Sequence, residues 1–140
     1  MRPTPLLITV VAVGGAVGTI GRYAVAQVVP ATHHVPWATF LVNVVGAFLL
    51  GLLLERLLSS GTQTPRHQLA RLGLGTGLLG GFTTYSALAL EVHDLAAGGH
   101  PAVAAGYALG TVAAGLVACA VGVLLGAGPL RHRPSTPGTT

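Results

Sequence analysis

The chain contains no lysine, one cysteine and only three acidic residues. All seven basic residues are arginines, and Asp, Glu, Lys and Arg together fill 7% of its 140 positions. An ordinary soluble domain carries roughly 25% charge. So few charges cannot clothe a surface facing water, whereas a surface facing lipid needs almost none. The mean hydropathy of +0.73 agrees. The formal net charge is +4, yet the arginines punctuate the ends of apolar runs instead of forming the single basic patch of a nucleic-acid binder. Cys119 can form no intrachain disulfide and has no ligand cluster around it, so it reads as a small packing residue. There is no Ser-His-Asp or Cys-His arrangement and no pair of carboxylates, which leaves an enzyme without chemistry. No acidic residue falls at the centre of an apolar run, since Glu55 and Glu91 read as helix-end residues. That disfavours proton-coupled cation export, which needs a titratable group in the membrane.

Four apolar runs are present, at about 6–29, 37–58, 69–90 and 102–125. Each is close to the ~20 residues that cross ~30 Å of hydrocarbon as a helix. The expected architecture is an all-α channel domain over 1–130 with four transmembrane helices, followed by a disordered polar tail over 131–140. Met1-Arg2-Pro3 before the first run resembles a secretory signal, but no small-x-small cleavage site follows, and the run reads as a retained helix. The connectors are expected at Pro30–Pro36, Ser59–His67 and His93–Pro101, and all six histidines fall in these connectors or the tail. Four crossings put both termini and the second connector on one side, with Arg2, Arg56, Arg66, Arg71, Arg131 and Arg133. The other side holds Arg22, Glu91 and Asp94. The arginine bias predicts cytoplasmic termini in a multi-pass protein of the plasma membrane.

Glycine is abundant, at 21 residues. Gly14-x-x-x-Gly18 and Gly77-x-x-x-Gly81 are small-x-x-x-small patterns that let helices approach closely. The third run is stranger. Gly73, Gly75, Gly77, Gly80 and Gly81 crowd together and are followed by Thr83, Thr84, Tyr85 and Ser86. Each glycine costs a helix about 1 kcal/mol relative to alanine, so this run is predicted to break near its middle. Carbonyls freed at membrane depth must face protein, water or an ion, and cation coordination is one use for them. Gly75-x-Gly77-x-x-Gly80 also matches a dinucleotide fingerprint, but that motif needs a strand and a soluble α/β unit, and neither is in view. In the second run Thr39, Asn43 and Gly46 share one helical face, suited to interhelical hydrogen bonds or to an anion path. Tyr107, Thr111 and Gly115 form a thin polar track on the fourth. Arg22 is the one charge well inside a run, either an anchor or the rim of an aqueous vestibule.

Three segments together resemble the Fluc/CrcB family of fluoride channels: Gly14-Gly15-x-x-Gly18-x-x-x-Arg22-Tyr23, Thr39-x-x-x-Asn43-x-x-Gly46-x-Phe48, and Gly80-Gly81-Phe82-Thr83-Thr84-Tyr85-Ser86, with Glu91 following at the expected distance. The resemblance implies an antiparallel dimer of dual-topology type, with two pores along the interface and one structural, untransported Na+ at its centre. The sodium ligands would be the carbonyls of Gly80 and Thr83. Asn43, Tyr85, Thr39, Tyr107 and Thr111 would line the anion path, and Arg22 would shape the vestibule. The family usually has two phenylalanines after the break. Here those positions hold Tyr85 and Leu88, so only Tyr85 keeps a ring edge to offer an anion. The implied activity is passive export of cytoplasmic fluoride, with fluoride, lipid and an oppositely oriented second subunit as partners. The arginine bias suits a subunit of fixed orientation, paired with an inverted paralogue, better than a homodimer that inserts both ways. The alternatives are a small four-helix multidrug-type exporter, which would need a membrane glutamate absent from the first run, and a structural membrane subunit.

Overall fold

The computed structural model describes residues 5–32, 35–59 and 64–127; the expected polar tail over 131–140 lies outside them. Three uninterrupted helices dominate: α1 (Pro5–Val28), α2 (Trp37–Leu58) and α6 (Pro101–Gly126). At 1.5 Å per residue, their 22 to 26 residues reach roughly 33–39 Å, enough to cross a bilayer core. All three are apolar enough to do so. Their outward faces carry large aliphatic side chains such as Ile20, Leu116 and Leu124, each about two-thirds to three-quarters exposed. Hydrocarbon tolerates such a surface and water does not.

The chain between α2 and α6 is built from shorter pieces. Thr64 caps α3 (Pro65–Ala70): its hydroxyl accepts the His67 N–H, the His67 ring receives the Thr64 N–H, and Pro65 supplies a preset first turn. From Arg71 to Leu79 the helix widens to π geometry. This stretch holds three glycines, and side chains that are missing cannot resist the wider turn. A short α4 (Gly80–Phe82) follows. Thr83 and Thr84 are then extended, at φ −79°, ψ 159° and φ −151°, ψ 124°. Helix resumes as α5 (Tyr85–Ala97).

Helical structure thus reaches beyond the expected 69–90 at both ends. It begins earlier because Thr64 and Pro65 make a strong start. It ends later because Glu91, His93 and Asp94 lose hydrophobicity without losing helical competence. The expected connector from His93 to Pro101 shrinks to Gly98–His100, with Gly99 turning the chain at φ 84°. His67 and His93 therefore lie on helices, and Glu91 sits in the interior of α5 and not at a helix end.

Two glycine seams set the packing. α1 lies against the π segment and α4, and α2 lies along α6, which also carries α5. A methyl group on Gly18 would collide with the Leu78 carbonyl, and one on Gly81 with the Gly15 carbonyl. Across the second seam, Gly51 abuts the Cys119 carbonyl and Gly122 that of Phe48. Side chains pack where backbones stand further apart: Leu88, Leu95, Ala104 and Tyr107 form a small core with Val35, Phe40 and Val92 against it.

Substitution along α1 tests the first seam. Gly18→Ala should destabilise the protein by about 1–3 kcal/mol through forced overpacking. Gly21→Ala should be neutral or gain up to about 1 kcal/mol of helix propensity, because its new methyl would meet only the Phe82 ring, at 3.6 Å. Thermal unfolding in detergent checks both; equal losses would refute the seam.

Candidate functional site

An extended dipeptide between two helices leaves polar backbone without helical partners, and its surroundings must supply them. α2 meets this need with one side chain. Asn43 donates through Nδ2 to the Thr84 carbonyl at 2.9 Å and accepts the Thr84 N–H at Oδ1 at 2.8 Å. One turn further along α2, Gly46 has no side chain to obstruct the Thr83 methyl. Thr83 is tied back to Leu79, whose carbonyl accepts both its N–H and its hydroxyl at 2.9 Å. The Thr84 hydroxyl accepts the Ala87 N–H at 3.2 Å and so caps α5.

α1 approaches from the other side. Arg22 Nε donates to the Gly81 carbonyl at 3.3 Å, and the Thr19 hydroxyl reaches the same oxygen at 3.5 Å. Arg22 is half-buried and bound to the interrupted backbone. The sequence offered an anchor or a vestibule rim for it; here it also braces the Gly81 carbonyl. Among the described residues no backbone N–H answers the carbonyls of Gly80 or Thr83. Gly80 is exposed, so its backbone is reachable from outside the chain. Oxygen donors at the C-terminal end of a helical run suit a hard monovalent cation in charge and chemistry. No cluster of His, Cys, Asp or Glu offers another metal site among the described residues, and one chain provides only part of a coordination shell. The residues present fit such an ion without enclosing it.

A second polar group lies towards the N-terminal end of α2. Glu91 receives the Thr39 hydroxyl at Oε1 and the Tyr107 hydroxyl at Oε2, both at 2.7 Å. The Tyr107 hydroxyl also lies 3.3 Å from the Pro36 carbonyl, and Thr111 donates to the Tyr107 carbonyl at 2.7 Å. Thr39, Tyr107 and Thr111 are buried. The sequence pattern puts all three along a path but gives no role to Glu91, which reads as a helix-end residue and here joins Thr39 to Tyr107. Thr84 and Thr19 were missed as well; for Thr84 a signal existed, since threonine before a helical run is a capping residue.

Asn43, Thr83, Thr84, Tyr85, Leu88 and Thr111 meet in a groove of about 420 Å³ between α2, α5 and α6, with Gly115 and Cys119 on its far wall. Tyr85 is 82% exposed and stands at this groove, while Leu88 is buried in its inner wall. Arg22, Thr39 and Tyr107 are not among its lining residues; Tyr107 faces a separate groove beside Trp37 and Phe40.

Long lipid-compatible helices around an interrupted one, with polar groups gathered at the interruption, define a multi-pass membrane protein of the transport class. The chain belongs to the CrcB family, an ion-channel family without enzymatic activity: the family model described as "CrcB-like protein, Camphor Resistance (CrcB)" matches residues 9–123. It is 43% identical over 115 residues to "Fluoride-specific ion channel FluC 2" of Leifsonia xyli, covering 82% of this chain and 79% of the relative. It is 42% identical over 128 residues to the protein of the same name from Nocardia farcinica, covering 91% and 86%. A third relative, "Fluoride-specific ion channel FluC 1" of Cutibacterium acnes, is 44% identical over 112 residues, covering 79% and 78%.

The Glu91 cluster makes a separable prediction. Thr39→Val and Tyr107→Phe should each cost about 1.5–3 kcal/mol, the range for a hydrogen bond to a charged group. The double variant should lose more than the sum, because the first change leaves Glu91 one donor and the second leaves it none. A double-mutant cycle on thermal stability measures the coupling, and strict additivity would show that the carboxylate does not join the two helices.

Proposed function

We propose that this chain is one subunit of a passive, fluoride-selective channel that lets cytoplasmic fluoride leave the cell and so reduces fluoride toxicity. The observation that carries this reading is the interruption at Thr83–Thr84, held by Asn43 and opening on a groove with Tyr85 at its edge. Relatives named as fluoride-specific ion channels support it across most of the chain. In this reading the segment 65–97 makes the third crossing as one interrupted span. The groove becomes a closed path when a second, oppositely oriented subunit covers it.

Fluoride is small and strongly hydrated, so a pore must replace its water without holding the ion too tightly to release. Asn43 has a second Nδ2 hydrogen beyond the one given to Thr84. Tyr85 offers a ring edge and a hydroxyl. Thr111 supplies a hydroxyl proton by rotating away from its present acceptor, and Thr39 and Tyr107 flank the path with their hydroxyls on Glu91. Leu88 contributes only an apolar wall, so the path runs on one ring per subunit. Arg22 shapes the vestibule and contributes positive charge at its rim. A sodium ion would be held by the carbonyls of Gly80 and Thr83 from both subunits, and when bound it supplies a fixed positive charge beside the path. A membrane potential negative inside drives the anion outward by about 2.3 kcal/mol per 100 mV; the reading requires no fuel.

The arginine bias supports an orientation in the plasma membrane with cytoplasmic termini, and pairing with an inverted paralogue. The numbers 1 and 2 in the relatives' names are compatible with paired subunits.

Proteoliposomes test the activity. Fluoride should leave on dissipation of the membrane potential, without a proton gradient and with chloride retained. Tyr85→Phe should keep the rate within about twofold, and Tyr85→Ala should lower it by tenfold or more, about 1.4 kcal/mol of lost stabilisation in the path. Well-folded protein that passes no fluoride, alone or with its paralogue, would overturn the assignment. A C-terminal tag found equally on both faces of the membrane would overturn the fixed orientation.

A further inference from the structure

In an unbroken α-helix, the N–H of each residue closes on the carbonyl four residues before it. Thr84 N–H would close on Gly80, and Ala87 N–H on Thr83. Neither does. The Thr84 N–H is taken by Asn43 Oδ1 at 2.8 Å, and the Ala87 N–H by Thr84 Oγ1 at 3.2 Å. The two carbonyls left without these partners are the two that the proposed sodium requires.

We propose that Asn43 and Thr84 are positioning residues for the cation site: their side-chain oxygens capture the two backbone N–H groups that would otherwise close on the Gly80 and Thr83 carbonyls. This rests on the sodium reading above and extends it to residues that touch no metal. The neighbouring carbonyl behaves differently. Gly81 O lies between the two, yet it is met by Arg22 Nε and the Thr19 hydroxyl from α1. A carbonyl facing a guanidinium is a poor cation ligand, so the surrounding helices sort adjacent oxygens into braced and open ones. Thr83 itself still closes its N–H on Leu79 O, the ordinary helical partner, with its hydroxyl on the same oxygen, so the departure from helix begins only at the next N–H, that of Thr84. Gly46 leaves room for the Thr83 methyl that this pose pushes towards α2.

Asn43 thereby acquires two functions on one amide. Its Oδ1 keeps the Gly80 carbonyl open, one Nδ2 hydrogen holds Thr84 O, and the other hydrogen remains for the groove. Disturbing Asn43 should damage cation binding as well as anion passage, which a residue that only lines a pore would not do.

Thermal unfolding of the full-length protein in detergent tests this without measuring flux. Sodium chloride is titrated against N-methylglucamine chloride at constant ionic strength. The wild-type midpoint should rise with sodium. Thr84→Ala should raise the sodium concentration for half-maximal stabilisation by about tenfold, because alanine returns the Ala87 N–H to the Thr83 carbonyl. Thr84→Ser keeps an acceptor oxygen and should match wild type. Asn43→Ala should shift the requirement at least as far as Thr84→Ala. If Thr84→Ala melts lower at every sodium concentration but needs the same sodium as wild type, Thr84 is only a helix cap and the proposal is wrong while the sodium site stands. If wild type melts identically in both salts, the sodium reading fails and the proposal fails with it. The Thr84 pair decides the matter even if Asn43→Ala does not fold.

Discussion

The structure depends on one side-chain amide meeting the backbone N–H and carbonyl of one residue. Asn43 satisfies both the N–H and the carbonyl of Thr84, as a neighbouring β-strand would, but from the side of a helix. A buried peptide unit without partners costs several kcal/mol in a hydrocarbon surround. Without Asn43 the least costly outcome is for the segment to recover its helical bonds. The two extended threonines, the restart of helix at Tyr85 and the position of Tyr85 at the groove all follow from that pair. Asparagine suits the task because it offers a donor and an acceptor on one planar group, one for each of the two backbone groups of Thr84.

Such a side chain can act only where two helices come close, and glycine makes them close. α1 rests directly on the backbone of the π segment and α4, so that Arg22 and Thr19 reach Gly81. α2 presents Gly46 to Thr83 and Asn43 to Thr84, one turn apart. The segment is therefore held from two sides by different chemistry: a cation and a hydroxyl on the Gly81 carbonyl, a neutral amide on the N–H and carbonyl of Thr84. Bulk on either seam would push the supporting groups out of hydrogen-bond range, so packing and polar geometry are a single constraint.

Composition alone made the membrane character legible, because 7% charge leaves few other surfaces possible, and the long apolar runs marked α1, α2 and α6 closely. The third run was harder to read. Its glycine crowding directed attention to the twin glycines, but Gly80 and Gly81 are helical and the extended residues are Thr83 and Thr84. The glycines serve contact with α1, while β-branched threonine tolerates extended backbone and brings its own capping oxygen. Glu91 was misread because a charge at the edge of an apolar run looks like the end of a helix. Its partners are Thr39 and Tyr107, which are 52 and 16 residues away in the chain, and periodicity along one run carries no sign of them. The same holds for Asn43: one face shared with Thr39 and Gly46 was visible, whereas its partner, the extended backbone of Thr84 between two helices, has no side-chain signature.

The two polar clusters divide the bundle's needs. At the interruption every described donor to the backbone is neutral except Arg22, and that one is committed to Gly81. At the far end the carboxylate of Glu91 is met by two hydroxyls. Between them the groove offers amide, hydroxyl and ring groups against an apolar wall. At these two sites the charges of Arg22 and Glu91 face fixed partners, and the groove lining carries dipolar and apolar groups only. A dipolar surface can replace part of an anion's hydration without supplying the deep well that a bare arginine would. A pore lined this way discriminates by fit and by the number of donors, so the placement of the Thr84 peptide governs the groove as much as the side chains that line it.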